Sequence, residues 1–216
     1  SLSAQELFWY DVLLEVEGED VTEFEKTVDT YYSSVDFPED VTMTFSSIGL
    51  KGQGFEETHI LSFVSPSSQS LANLRASLSD EKWENYLDLV RPLVDNVRVS
   101  AGNASKVFNA EEFYPIGQVW GFKVKSKYIP QFTVAFEKLM QTFDAPGFVG
   151  LANVTHGISN GENLLIYGTY PDLNSAFTFG PKNEAEASAF AEFFNVTGEI
   201  SEFTQSWTRV KIQDYN

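Results

Sequence analysis

The chain contains no cysteine, only two methionines and two histidines, and 14 basic residues against 31 acidic ones. Each shortage closes off a class of chemistry. Without cysteine there is no disulfide, no thiol nucleophile and no thiolate metal site. A formal charge of −17 repels phosphate backbones, which argues against nucleic acid as a partner and against an anionic membrane surface for the same reason. That charge reads as a solubility or salt-adapted surface. No apolar run approaches the roughly 20 residues of a membrane-spanning helix. The lack of cysteine fits an exported protein. The chain also opens at Ser1 rather than at Met, as after removal of a signal peptide or at a cloning boundary. Export is the expectation, and the oligomeric state is left open. What is abundant is apolar: 43% hydrophobic and 15% aromatic residues, with 19 phenylalanines, are values of a folded, soluble chain rather than a disordered one.

The apolar residues recur in two phases. Segment 10–16 is strand-like, and segment 20–35 follows with Val21, Phe24, Val28, Tyr31, Tyr32 and Val35 on one helical face. In the second half Ile129, Phe132, Phe136, Leu139, Met140 and Phe143 repeat that spacing at an offset of 108 residues. The same offset, carried back without a gap, pairs Val12, Leu14 and Val16 with Trp120, Phe122 and Val124. Any two amphipathic helices share the 3.6-residue period; the shared strand phase and loop length identify a repeat. Strands are predicted at about 41–48 and 58–65 around the turn Gly49–Gly54. They are matched by 147–158 and 163–170 around Asn160-Gly161, a dipeptide that tolerates positive φ at both central positions. One longer helical stretch then follows in each half, through Leu71 to Val90 and Ala185 to Phe194, and a strand closes it at about 96–101 and 203–212. The order is β-α-β-β-α-β twice over, the split-βαβ plan, with repeats at 1–102 and 118–216 and a linker at 103–117. Strands such as Phe8-Trp9-Tyr10 and Leu164 to Tyr167 are apolar on both faces. One face is for helices, and the other needs the second sheet as cover.

On that element order and periodicity the chain resembles the dimeric α+β-barrel superfamily, with both ferredoxin-like halves supplied by one polypeptide. The resemblance implies an α+β fold of two antiparallel sheets packed as a barrel. Members include cofactor-independent monooxygenases, haem-handling enzymes and isomerases, and no residue set carries over from any one of them.

Candidate sites are few. The aromatic residues Trp9, Trp120, Phe122 and Tyr167 fall on predicted strands where the two sheets should meet. They read either as core or as the wall of a pocket for a small apolar or aromatic molecule. Asn153 and His156, late in strand 147–158, are the polar groups that would point into such a pocket, and His156 is weighed as a catalytic base without an identifiable orienting partner. His59 follows Glu56 and Glu57, but adjacent residues on a strand face opposite ways, so this reads as an exposed hairpin base rather than a metal site. Glu184, Glu186 and Glu192 read as the solvated face of a helix, and Glu15 to Asp20 lack the spacing of a calcium loop. The glycines at 49–54 lie between strands and so form a hairpin, not a phosphate loop. The three Asn-x-Ser/Thr sequons at Asn103, Asn153 and Asn195 are assigned no role. No catalytic residue, metal or cofactor is assigned. The leading reading is a binding or structural module, and the alternative is a cofactor-independent monooxygenase or related barrel enzyme.

Overall fold

The computed structural model describes residues 6–216. The first half runs β1 (Leu7–Glu15), α1 (Val21–Tyr32), β2 (Thr42–Lys51), β3 (His59–Ser65), α2 (Ser68–Ser77), α3 (Glu81–Val90) and β4 (Asn96–Phe108). The second runs β5 (Ile116–Val124), α4 (Ile129–Met140), β6 (Val149–His156), β7 (Leu164–Tyr170), α5 (Leu173–Phe177), α6 (Glu184–Ile200) and β8 (Ser201–Tyr215). Helices α1 and α4 stand at the 108-residue offset that the apolar spacing predicts. The Asn-Gly turn has φ of 55° at Asn160 and 75° at Gly161.

All eight strands pair antiparallel in one closed barrel of order β1-β3-β2-β8-β5-β7-β6-β4. Closure depends on the last strand of each half leaving its own sheet. β4 pairs with β1 through Leu7–Glu15, then continues along β6 to Phe108, and β8 reaches from β5 to Tyr215 on β2. This corrects the expected strand 96–101 and the linker 103–117. Residues 103–108 are strand, Ile116 and Gly117 open β5, and the connection itself is 109–115. A polar, weakly periodic strand end such as Asn103-Ala104-Ser105 signals pairing only once its partner is known.

The long helical stretch of the first half is two helices. Asp80 breaks it by capping α3, its side chain accepting from the Trp83 backbone N–H at 2.9 Å. Of the three glutamates expected on a solvated face, Glu186 is buried. It accepts from the backbone N–H groups of Asp144 (3.2 Å) and Lys182 (2.6 Å), tying two loops to the start of α6. His59 is buried too, not exposed at a hairpin base. It lies beneath α1 against the rings of Phe24 and Phe45, with Nε2 3.0 Å from Glu25. Glu57 turns to Arg98 instead (3.0 Å), so the carboxylate paired with His59 is Glu25 of α1 and not its chain neighbour Glu57. No group of three metal-ligating side chains occurs among the described residues, and no helix there is long and apolar enough to cross a membrane.

Candidate functional site

Alternation along the strands sorts side chains into two environments. On β1 the odd positions Leu7, Trp9, Asp11 and Leu13 face the barrel interior, while Tyr10 and Leu14 lie under the helices of the first half. On β5 the interior position is Val119, and Trp120 and Phe122 lie under α4 and α6. The predicted aromatic set therefore does not converge. Trp9 and Tyr167 line the barrel interior, whereas Trp120 and Phe122 line a separate hollow on the outer face of the sheet. Asn153 also faces out of the barrel, its amide donating to Asn103 at 3.2 Å. His156 sits exposed at the end of β6 beside Thr155 and touches neither cavity.

The hollow has a volume of about 360 Å³ and lies between β5, β6 and β7 on one side and α4 and α6 on the other. Its walls are nearly all apolar. Trp120, Phe136, Phe143, Phe190 and Phe193 form the body, and the exposed rings of Phe179, Phe194 and Phe203 stand at its edge. The hydroxyls on the wall are already spent within the protein: Thr197 on Phe193 O, Ser201 on Thr197 O, Thr169 on Glu112 O. Tyr170 is the exception. Its hydroxyl makes no hydrogen bond among the described residues, and burial alone pushes it up from its ordinary pKa, so it remains a phenol that can donate. Gly168 keeps the floor open. A Cβ there would meet only ordinary contacts, with Trp120 and the Tyr170 hydroxyl both at 3.7 Å.

The barrel interior holds a second cavity of about 390 Å³, with apolar walls from Trp9, Ile60, Val119, Leu165 and Trp207. It is chemically different, because charged groups face it. Asp11 accepts from Ser62 Oγ at 2.6 Å, and burial pushes its carboxyl above the ordinary range against the lowering effects of that bond and of Arg209. Arg209 donates from Nε to the Tyr167 hydroxyl at 3.0 Å and lies over the Tyr167 ring. Gly117 makes this possible, since a Cβ at that position would stand 2.6 Å from the Tyr167 hydroxyl and 2.9 Å from Arg209 Nε.

Asp11, Ser62, Arg209, Gly168 and Tyr170 were not among the residues singled out from the sequence. A signal for Asp11 existed, as the one carboxylate inside the apolar run Phe8 to Leu14. For Gly168 and Tyr170 there was none.

No protein-family model matches the chain, and no curated protein is similar to it. Solved structures do match. A monooxygenase candidate from Fusobacterium nucleatum aligns over 100% of this chain and 96% of its own, with TM-score 0.68 and 12% identity. A second monooxygenase candidate, from Lactobacillus acidophilus, covers 97% and 96% with TM-score 0.67 and 12% identity. An anthrone oxidase-like protein covers 98% and 93% with TM-score 0.65 and 10% identity. The chain has the α+β-barrel fold. At these identities the likeness is one of backbone plan, not of site.

Haem does not fit the hollow. Haem iron is commonly held by an imidazole or a thiolate; among the described residues neither lines either cavity, and Tyr170 is held in its neutral form.

Proposed function

We propose that the hollow of the second half binds a flat, apolar, largely aromatic small molecule, with Tyr170 donating one hydrogen bond to it. The observation that carries this reading is a cavity of about 360 Å³ with aromatic walls and one unspent phenol. Apolar walls left facing water are unfavourable, at roughly 25 cal/mol per Å² of exposed apolar surface. A ring system bound there removes the cost. The same reading takes the chain as a tandem duplicate of one ferredoxin-like unit in which only the second copy keeps an open site. The common element order and the 108-residue offset of α1 and α4 support it.

A second reading, oxygenation of the bound molecule without a cofactor, is favoured by the neighbours named as monooxygenase candidates and as anthrone oxidase-like. It meets one difficulty. Among the described residues Tyr170 is the only titratable side chain on the hollow's wall, and a protonated phenol cannot act as a base. Binding is therefore the better supported function.

Anthrone tests both readings. Its carbonyl offers the acceptor that Tyr170 lacks, and its binding should quench Trp120. Gly168→Leu, which fills the hollow from β7, should abolish binding while leaving the far-ultraviolet circular dichroism unchanged. Anthrone binding equal in wild type and Gly168→Leu overturns the site. Oxygen uptake with conversion of anthrone and O₂ to anthraquinone and water, lost in Gly168→Leu, would establish the oxygenase reading over simple binding.

A further inference from the structure

The barrel interior carries a buried cation. Arg209 is 8% exposed, comes from β8, and forms no ion pair among the described residues. Its hydrogen-bond partner among the described residues is the Tyr167 hydroxyl, which satisfies its donors only on one side. A buried guanidinium without a carboxylate is costly unless something compensates it. Asp11 offsets it only in part: the two attract across the interior, but Asp11 comes from β1, three places away in the strand order, is bound to Ser62 and makes no ion pair with Arg209. Trp9 Nε1–H is buried and has no acceptor among the described residues. Around these groups the surface is aromatic and aliphatic, from Trp9, Phe148, Tyr167 and Trp207.

We infer that the barrel interior is a second binding site, separate from the hollow, for a small molecule with an aromatic body and one carboxylate. The carboxylate meets the free edge of the Arg209 guanidinium, where planar two-point pairing is strongest. The ring lies between Trp9 and Trp207. Asp11 lines the opposite wall, and toward the mouth stand Asp40, Glu111 and the Lys211–Asp214 pair at 2.8 Å. This acidic rim slows the entry of an anion and is screened by salt, so the association rate should rise with NaCl.

Benzoate and its neutral isostere benzamide decide the matter on the full chain, followed by tryptophan emission and calorimetry. Wild type should bind benzoate more tightly than benzamide by about tenfold or more, and Arg209→Met should erase that preference. A wild type that binds neither compound, or shows no preference, overturns the inference. So does an Arg209→Met variant that folds and keeps the preference. Should Arg209→Met fail to fold, Ala152→Phe takes its place, filling the barrel from β6 with Arg209 intact. Loss of benzoate binding in Ala152→Phe, with anthrone binding in the hollow retained, supports the site, and undiminished benzoate binding overturns it.

Discussion

The layer between helices and sheet is filled in the first half and hollow in the second, on the same backbone plan. In the first half Tyr10 stacks on Phe63 with ring centres 4.2 Å apart, Tyr31 stacks on Tyr86 at 4.3 Å, and Tyr32 packs edge-on against Phe63 and Tyr86. At the 108-residue offset Tyr10 becomes Gln118, and Tyr31 and Tyr32 become Leu139 and Met140. Across the ladder the partner of Tyr10 is Phe63, while the partner of Gln118 is Gly168. A stacked aromatic pair is thus replaced by a glutamine and a glycine, and two tyrosines by slimmer aliphatic chains. The strands and helices stay where they are because backbone hydrogen bonds and the remaining phenylalanines hold them, so the missing volume persists as a cavity. One half works as a core, and the other has the shape of a binding site.

Truncation separates the two halves most strongly. Phe63→Ala, at 1% exposure in the filled layer, should cost about 3–5 kcal/mol in urea unfolding. Met140→Ala, half-buried on the wall of the hollow, should cost less than about 2 kcal/mol because its side chain already borders open space. Equal losses would mean that the hollow is packed in solution.

Enlargement should run the other way. Val28→Phe, at a fully buried position of α1, should cost about 1–3 kcal/mol through overpacking. Gly168→Leu should be neutral or stabilising, within about 1 kcal/mol, since its new side chain enters empty volume. A Gly168→Leu variant as damaged as Val28→Phe would break the comparison.

The smallest effects are in pH dependence, and they have opposite signs. His59 lies in the filled layer, where burial lowers its pKa although Glu25 pulls it up. The folded state resists protonation there, so stability is full above about pH 6.5 and falls as the pH drops below it. His59→Gln should flatten that part of the profile. Asp11, facing the barrel cavity, is raised by burial. The folded state prefers its protonated form, and its contribution to stability declines as pH rises above about 4. Asp11→Asn should therefore raise the melting temperature at pH 7 and lose that advantage near pH 4. A variant with the wild-type profile would exclude the group in question as a contributor.

Much of the architecture was readable before any coordinates. The 3.6-residue spacing placed α1 and α4, and Asn160-Gly161 placed the hairpin between β6 and β7. These features depend on neighbours within one element, where period and turn chemistry act directly. The sites were much less legible. Trp9 and Trp120 each carry the right chemistry, but a shift of one residue along a strand reverses the face, and the two turned out to line different cavities. Asn153 and His156 failed for the same reason and because β6 ends at the rim.

From the sequence alone follow the order of the strands, the places of α1 and α4, and the exclusion of thiol chemistry. Only the tertiary structure decided that β4 and β8 cross between halves to close the barrel, that Arg209 and Asp11 come to face one interior, and that Gly168 lies where Phe63 fills the other half. Each of these is a pairing between segments distant in the chain. Local periodicity carries no record of such pairings, because they are set by which ladder satisfies the backbone and which side chains then compete for the same volume.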